Sequence, residues 1–293
     1  MISLSRAGAY APALFFVLLL VLSACTTVSL LQSRSERANT VAIKNNWRLV
    51  AYHTKHFKIM AYRPANIERM AASKSPTDTL NVYLEGDGLA WITETQLSRD
   101  PTPSEPMTLE LAVQDPNPRS IYFARPCQYL DQNSLARCSP AYWSSHRYSQ
   151  EVVASMSDAV EQAKRESGAR RIRLFGYSGG GALAVLIAAQ RTDIAEIITL
   201  AANLDHQFWT QRGRMTPLYG SLNPVRVANK ISHIPQIHFI GEDDDIVPNS
   251  VTYAYMSGIK DTSRIKIVKL SNMDHTCCWV EPWKRLLRDH VYR

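Results

Sequence analysis

Residues able to break an acyl bond occur in this chain in a suggestive order. Ser178 sits in Gly176-Tyr177-Ser178-Gly179-Gly180, a G-x-S-x-G pattern. Downstream come three consecutive carboxylates, Asp243, Asp244 and Asp245, and then His275 in Asn272-Met273-Asp274-His275. A serine hydroxyl is a poor nucleophile at neutral pH and needs an imidazole to take its proton. The imidazole needs a carboxylate to fix its tautomer. Serine, carboxylate and histidine in that order therefore point to nucleophilic acyl transfer.

Such residues work only if the fold positions them. A strand-like run, RIRLF (Arg171 to Phe175), precedes Ser178, and a helix-like run, ALAVLIAAQ (Ala182 to Gln190), follows it. A serine on so sharp a strand-to-helix turn takes a strained backbone, and glycines on both sides remove the Cβ atoms that would clash. The carboxylates follow the strand PQIHFI (Pro235 to Ile240), and His275 follows IKIVKL (Ile265 to Leu270). Further strands are expected at LNVYL (Leu80 to Leu84), RSIYFA (Arg119 to Ala124) and IAEIITLA (Ile194 to Ala201). Trp47 to Tyr52 and His56 to Tyr62 read as an N-terminal β-hairpin. Helices are expected at Met107 to Gln114, at Tyr148 to Ser167 with Gly168 as its cap, at Asn249 to Gly258 and at Val280 to His290. Alternating strands and helices imply an α/β class with a mostly parallel sheet covered on both faces. Two long connections, 125–147 and 203–233, read as lids or insertions. Their aromatics (Tyr129, Tyr142, Trp143; Phe208, Trp209, Tyr219) either line a cleft or anchor the loops.

The same glycines permit a rival. Gly179, Gly181 and Ala184 match G-x-G-x-x-A, a dinucleotide fingerprint, with Asp205 after the next strand. Its place mid-domain counts against it. Two S-x-x-K matches, Ser257 to Lys260 and Ser263 to Lys266, have no S-D-N or K-T-G partner. Among other histidines, His238 lies inside a strand and reads as a core residue, while His206 reads as a surface residue. Trp279 and Trp283 have helical spacing and read as core.

From Leu80 onward the chain resembles the α/β-hydrolase superfamily, in its serine esterase, lipase and peptidase branch. The resemblance rests on the elbow, on the ordered acid and histidine, and on Gly241, Asp244, Val247 and Pro248, which match a G-x-x-D-x-x-V-P pattern. It implies Ser178 as nucleophile, His275 as base and Asp244 as acid. It also implies an oxyanion hole from the backbone N–H groups of Gly179 and the Asp87 position, with no metal or organic cofactor. One departure stands out. Many members carry His-Gly after the oxyanion strand, and this chain has Glu85-Gly86-Asp87-Gly88. The alternative function is a non-catalytic envelope protein of the same fold acting in binding or scaffolding.

The N-terminus implies export. Arg6 and the apolar stretch Ala11 to Leu22 read as a signal peptide over residues 1–24, ending in Leu22-Ser23-Ala24-Cys25. That ending resembles the bacterial lipobox, which implies lipidation at Cys25, and Thr26 after it implies the outer membrane, facing the periplasm. Residues 25–46 read as a tether, and 47–293 as the hydrolase domain. In an oxidising compartment Cys127 and Cys138, within one loop, read as a local disulfide that stabilises by about 2–3 kcal/mol. Cys277 and Cys278 are left open between free thiols, a vicinal bridge and other partners. Neither C-x-x-C nor H-E-x-x-H spacing occurs. The 293 residues, 45% hydrophobic and 20% charged, suit one globular α/β domain. The net charge of +7 is scattered, which argues against a nucleic-acid partner; the hydrolase resemblance implies a small-molecule or lipid acyl substrate, and the lipobox implies the membrane.

Overall fold

The computed structural model describes residues 34–71 and 78–292. The expected signal peptide, Cys25 and the first part of the expected tether lie outside the described residues.

The strands are β1 (Trp47–His53), β2 (Lys58–Pro64), β3 (Thr79–Leu84), β4 (Ser120–Phe123), β5 (Arg171–Tyr177), β6 (Ile194–Leu200), β7 (Gln236–Gly241) and β8 (Ile265–Leu270). Among the described residues they form one eight-stranded sheet in the order β1-β2-β4-β3-β5-β6-β7-β8. β1 pairs antiparallel with β2, and β2 antiparallel with β4. All other pairings are parallel. The N-terminal hairpin is therefore an extension of the main sheet. β3 and β4 are buried along almost their whole length, as expected of parallel strands with helices on both faces.

The helices are α1 (34–44), α2 (Ile67–Ala71), α3 (Met107–Ala112), α4 (Gln132–Leu135), α5 (Gln150–Ser167), α6 (Gly179–Ala188), α7 (His206–Arg212), α8 (Asn249–Ser257) and α9 (Trp283–Leu286). One face of the sheet packs against α5 and α6, with Val152, Met156, Leu183 and Ile187 fully buried or nearly so. α5 stops where Gly168 takes a left-handed conformation at φ 67°, accessible at little cost to glycine. α6 is buried on every side. The other face packs against α1, α3 and α9, where Trp279 and Trp283 have no exposed surface.

α1 lies within the segment read from sequence as a tether. Composition there is polar, but Ala38 and Ala42, one helical turn apart, are at 0% and 1% exposure in the second core. Asn39 accepts a hydrogen bond from Tyr62 at 2.9 Å. At the start of the helix Arg34 donates to the carbonyl of Thr102 at 2.7 Å and pairs with Asp100. The folded body thus begins earlier than position 47.

The two long connections are also more structured than a bare lid. Segment 125–147 contains α4 and a 3-10 turn at Pro140–Trp143, and Cys127 and Cys138 are joined by a disulfide within it. Segment 203–233 contains α7 and a 3-10 stretch at Pro224–Ile231. Among the described residues no helix is long and apolar enough to cross a membrane.

Burial of an unpaired charge at a tightly packed alanine costs about 2–4 kcal/mol. Ala42→Arg should lower the thermal unfolding midpoint by about 5–10 °C. Ile43→Arg, at a position 75% exposed, should leave it within about 1 °C. Circular dichroism melts of the two variants check this; equal midpoints would remove α1 from the core.

Candidate active site

Ser178, Asp244 and His275 all follow the carboxyl ends of strands, after β5, β7 and β8 respectively. Open parallel sheets place their ligand crevices at that edge.

The elbow has the backbone its sequence requires. Ser178 sits at φ 50°, ψ −118°, a region costly for a residue with a side chain. The turn closes because β5 and α6 approach with no Cβ between them. A Cβ on Gly180 would lie 2.2 Å from the carbonyl oxygen of Leu84 in β3, and one on Gly176 would lie 2.3 Å from that of Gly180. The Ser178 N–H donates to Leu200 at 2.9 Å, and its carbonyl accepts from Gly181 and Asn203. The bonds to Leu200 and from Asn203 tie the elbow to the end of β6 and leave the hydroxyl to other partners.

The three side chains form one hydrogen-bonded chain. His275 Nε2 lies 3.0 Å from Ser178 Oγ, and His275 Nδ1 lies 3.0 Å from Asp244 Oδ2. The arrangement works with Nδ1 protonated and donating to Asp244, and Nε2 accepting from the serine. Asp244 is held from behind: its Oδ1 accepts the N–H groups of Ile246 at 3.0 Å and Val247 at 2.8 Å. Its side chain is 1% exposed. Asp243 and Asp245, on either side, are exposed. Of the three consecutive carboxylates, Asp244 alone turns toward His275. The His275 loop is fixed through its carbonyl, which accepts from Tyr177 Oη at 2.9 Å and Trp279 Nε1 at 3.2 Å. Cys277 and Cys278, left open by sequence, are bonded to each other two residues further on.

Glu85 and Asp87, which stand where many hydrolases have His-Gly, part company. Glu85 is fully buried and accepts from the Gly86 N–H at 2.9 Å, Thr108 Oγ1 at 2.7 Å and Tyr122 Oη at 2.9 Å. Burial pushes its carboxyl above the usual range, against the pull of those hydrogen bonds. Asp87 reaches the other way, toward the elbow. Burial alone would raise its carboxyl; the Arg147 and Arg125 guanidiniums outweigh that and hold it below the usual range. The Gly86 N–H is consumed by Glu85, whereas the N–H groups of Asp87 and Gly179 meet no acceptor among the described residues.

The rival residues fall elsewhere. Asp205 caps α7, accepting from Gln207 and Phe208 N–H and from Asn223 Nδ2. His206, read as a surface residue, is instead 6% exposed with its ring 6.0 Å from that of Tyr148, and burial lowers its pKa. His238 is fully buried against Thr199 Oγ1 at 2.8 Å, and burial lowers its pKa to about 3. Trp209 of α7 donates to the Ile246 carbonyl at 2.6 Å, which ties segment 203–233 to the acid loop. Among the described residues no cluster of His, Cys, Asp and Glu could hold a metal. A cavity of about 860 Å³ lies between segments 97–100 and 130–143, lined by Leu97, Leu130, Leu135 and Trp143 and by no member of the triad. Hydrogen-bond geometry, not that hollow, locates the site.

The strand order, the elbow and the three loop positions decide the architecture. The chain has the α/β-hydrolase fold. An esterase from Pyrococcus furiosus matches at 14% identity over 83% of this chain and 88% of its own, with a TM-score of 0.56. Est1E from Butyrivibrio proteoclasticus matches at 14% identity over 84% and 99%, with a TM-score of 0.55. A bacterial membrane phospholipase A matches at 14% identity over 94% of this chain and 95% of its own, with a TM-score of 0.52. No family model matches the chain, and no curated protein does. These likenesses concern the fold; the Ser178-His275-Asp244 geometry supports serine hydrolase activity.

The acid assignment is testable. Asp244→Asn should lower kcat by up to about 10⁴-fold, because the imidazole loses its tautomer and its counter-charge. Asp243→Asn and Asp245→Asn should change kcat by less than about threefold, since neither touches His275. Asp205→Asn should act on stability through α7, by about 1 kcal/mol or less. Steady-state hydrolysis of a nitrophenyl ester ranks the four, and a crippled Asp205→Asn with a mild Asp244→Asn would move the acid to β6.

Proposed function

We propose that the protein is a lipid-anchored serine hydrolase of the bacterial envelope that cleaves acyl esters through an acyl-enzyme intermediate. The observation that carries this reading is the continuous Ser178-His275-Asp244 hydrogen-bond chain built on a strained elbow.

In this reading His275 Nε2 takes the Ser178 proton as Oγ attacks the acyl carbon. Negative charge builds on the carbonyl oxygen, and the N–H groups of Gly179 and Asp87 receive it. The Gly179 N–H also stands at the first turn of α6, where the helix dipole favours an anion. His275 then passes the proton to the leaving alcohol. Water then attacks the acyl carbon as the same nitrogen takes its proton; the acyl–Oγ bond breaks, the acid leaves, and the imidazolium returns the proton to Ser178 Oγ. Asp244 stays ionised throughout and stabilises the imidazolium.

Esters, thioesters and amides all pass through this chemistry. An ester substrate, small or lipid, is favoured by the likeness to solved esterases and to a membrane phospholipase A across nearly the whole chain. Envelope location is supported by the export-type N-terminus and Cys25, and by the Cys127–Cys138 disulfide, a bond that persists in oxidising compartments. Nothing in the site favours the binding or scaffolding alternative.

A fluorophosphonate should label the wild-type protein and fail to label Ser178→Ala, whose unfolding midpoint should stay within about 2 °C. Labelling that persists in the variant would place the nucleophile elsewhere. Cys25→Ser should shift the protein from the membrane pellet to the soluble fraction after a high-salt wash. Unchanged retention would remove the lipid anchor from the reading.

A further inference from the structure

Asp87 brings a carboxylate to the worst place for one. A Cβ on Gly179 would lie 2.2 Å from Asp87 Oδ1 and 2.8 Å from Tyr148 Oη, so this carboxylate packs directly on the residue after the nucleophile. Negative charge there opposes the negative charge that develops on the substrate oxygen. Two guanidiniums answer it. Arg125 Nη1 pairs with Asp87 Oδ1 at 2.8 Å, and Arg147 Nη1 pairs with Asp87 Oδ2. The arginine side chains are 4% and 6% exposed, against 18% for Asp87. Arg147 is fixed in turn by its Nε donating to Ser144 O at 2.7 Å, and Arg125 lies 5.2 Å over the Tyr148 ring. Two guanidiniums thus offset the negative charge of the one carboxylate beside Ser178.

The two arginines are also the two ends of the long connection 125–147. Both ends of that segment close on a single carboxylate, and Gln128 from the same segment donates to the Gly86 carbonyl at 3.2 Å. The turn Gly86-Asp87 is thus gripped from three side chains that belong to one excursion of the chain.

We propose that Arg125 and Arg147 are positioning residues for the oxyanion side of the active site: they clamp the Asp87 carboxylate, cancel its charge, and so present the Asp87 N–H to the substrate oxygen. The inference rests on the serine hydrolase reading above. Neither arginine touches the reacting atoms. Their action passes through Asp87, so it appears in the transition state and hardly at all in substrate binding.

The test uses the full-length protein in detergent, a nitrophenyl ester, and an aryl boronic acid whose adduct with serine places an oxygen at the oxyanion position. Arg147→Gln and Arg125→Gln should each lower kcat by about 10-fold to 100-fold, less than or comparable to loss of a whole oxyanion donor. KM should stay within about threefold, and boronic acid affinity should fall by the same factor as kcat. Arg147→Lys, which keeps the charge and loses the second grip on Ser144, should recover part of the loss. Folded glutamine variants with kcat and boronate affinity within twofold of wild type would overturn the proposal, as would a loss carried wholly by KM. Should both glutamine variants fail to fold, Arg147→Lys decides: a loss of about 3-fold to 10-fold in kcat supports the clamp, and no loss overturns it. A wild-type protein that resists fluorophosphonate would overturn the hydrolase reading itself, and the clamp with it. A wild type that labels alongside unaffected arginine variants would sink the clamp alone.

Discussion

The molecule is organised around the left-handed backbone of Ser178. A residue with a side chain holds φ 50° only if its neighbours force it. Here the forcing contact is a glycine of α6 packed on the carbonyl of Leu84 in the adjacent strand. That contact sets how closely β3, β5 and α6 approach. The approach sets where β3 ends, and hence where Gly86 and Asp87 stand relative to the nucleophile. From the other side, β7 and β8 pair in register through Gly241 and Leu270, so the acid and histidine loops leave the sheet together. Asp243 N–H then bonds the Met273 carbonyl and joins those two loops. The triad distances follow from sheet geometry more than from any affinity among the three side chains.

Electrostatics is handled by separation. Two acidic residues flank Gly86, yet their carboxylates point into opposite surroundings. Glu85 goes into the core with three neutral donors, and Asp87 goes to the elbow with two cations. Environments that drive two neighbouring carboxyls in opposite directions are a recurrent device near reacting centres. In place of His-Gly the turn is held by side chains, and the Asp87 N–H meets no acceptor among the described residues.

Much of the site was legible because it is written locally. The elbow needs only five consecutive residues, and the strand on one side and helix on the other are continuous patterns. The resemblance to the G-x-x-D-x-x-V-P pattern singles out Asp244 among three adjacent carboxylates, and burial of that one alone agrees. Arg125 and Arg147 were illegible because their meaning depends on a partner 38 and 60 residues away. α1 hid for a different reason. Two alanines carry its buried face, and alanine in a polar stretch gives no amphipathic signal. His206 looked like a surface residue because α7, a helix of seven residues, is too short to show a period.

The packing of α1 fixes where the chain departs from the body. Arg34 is bonded to Asp100 and Thr102, and the Pro101 carbonyl between them lies against Gly88, next in sequence to Asp87. The start of α1 thus packs on segment 100–102, which borders the Gly86-Asp87-Gly88 turn. An anchor at Cys25 would leave eight residues, 26–33, before α1 begins, a span of about 30 Å at full stretch. Under the proposed anchor, so short a connection would hold the α1 end of the domain close to the leaflet that carries the lipid.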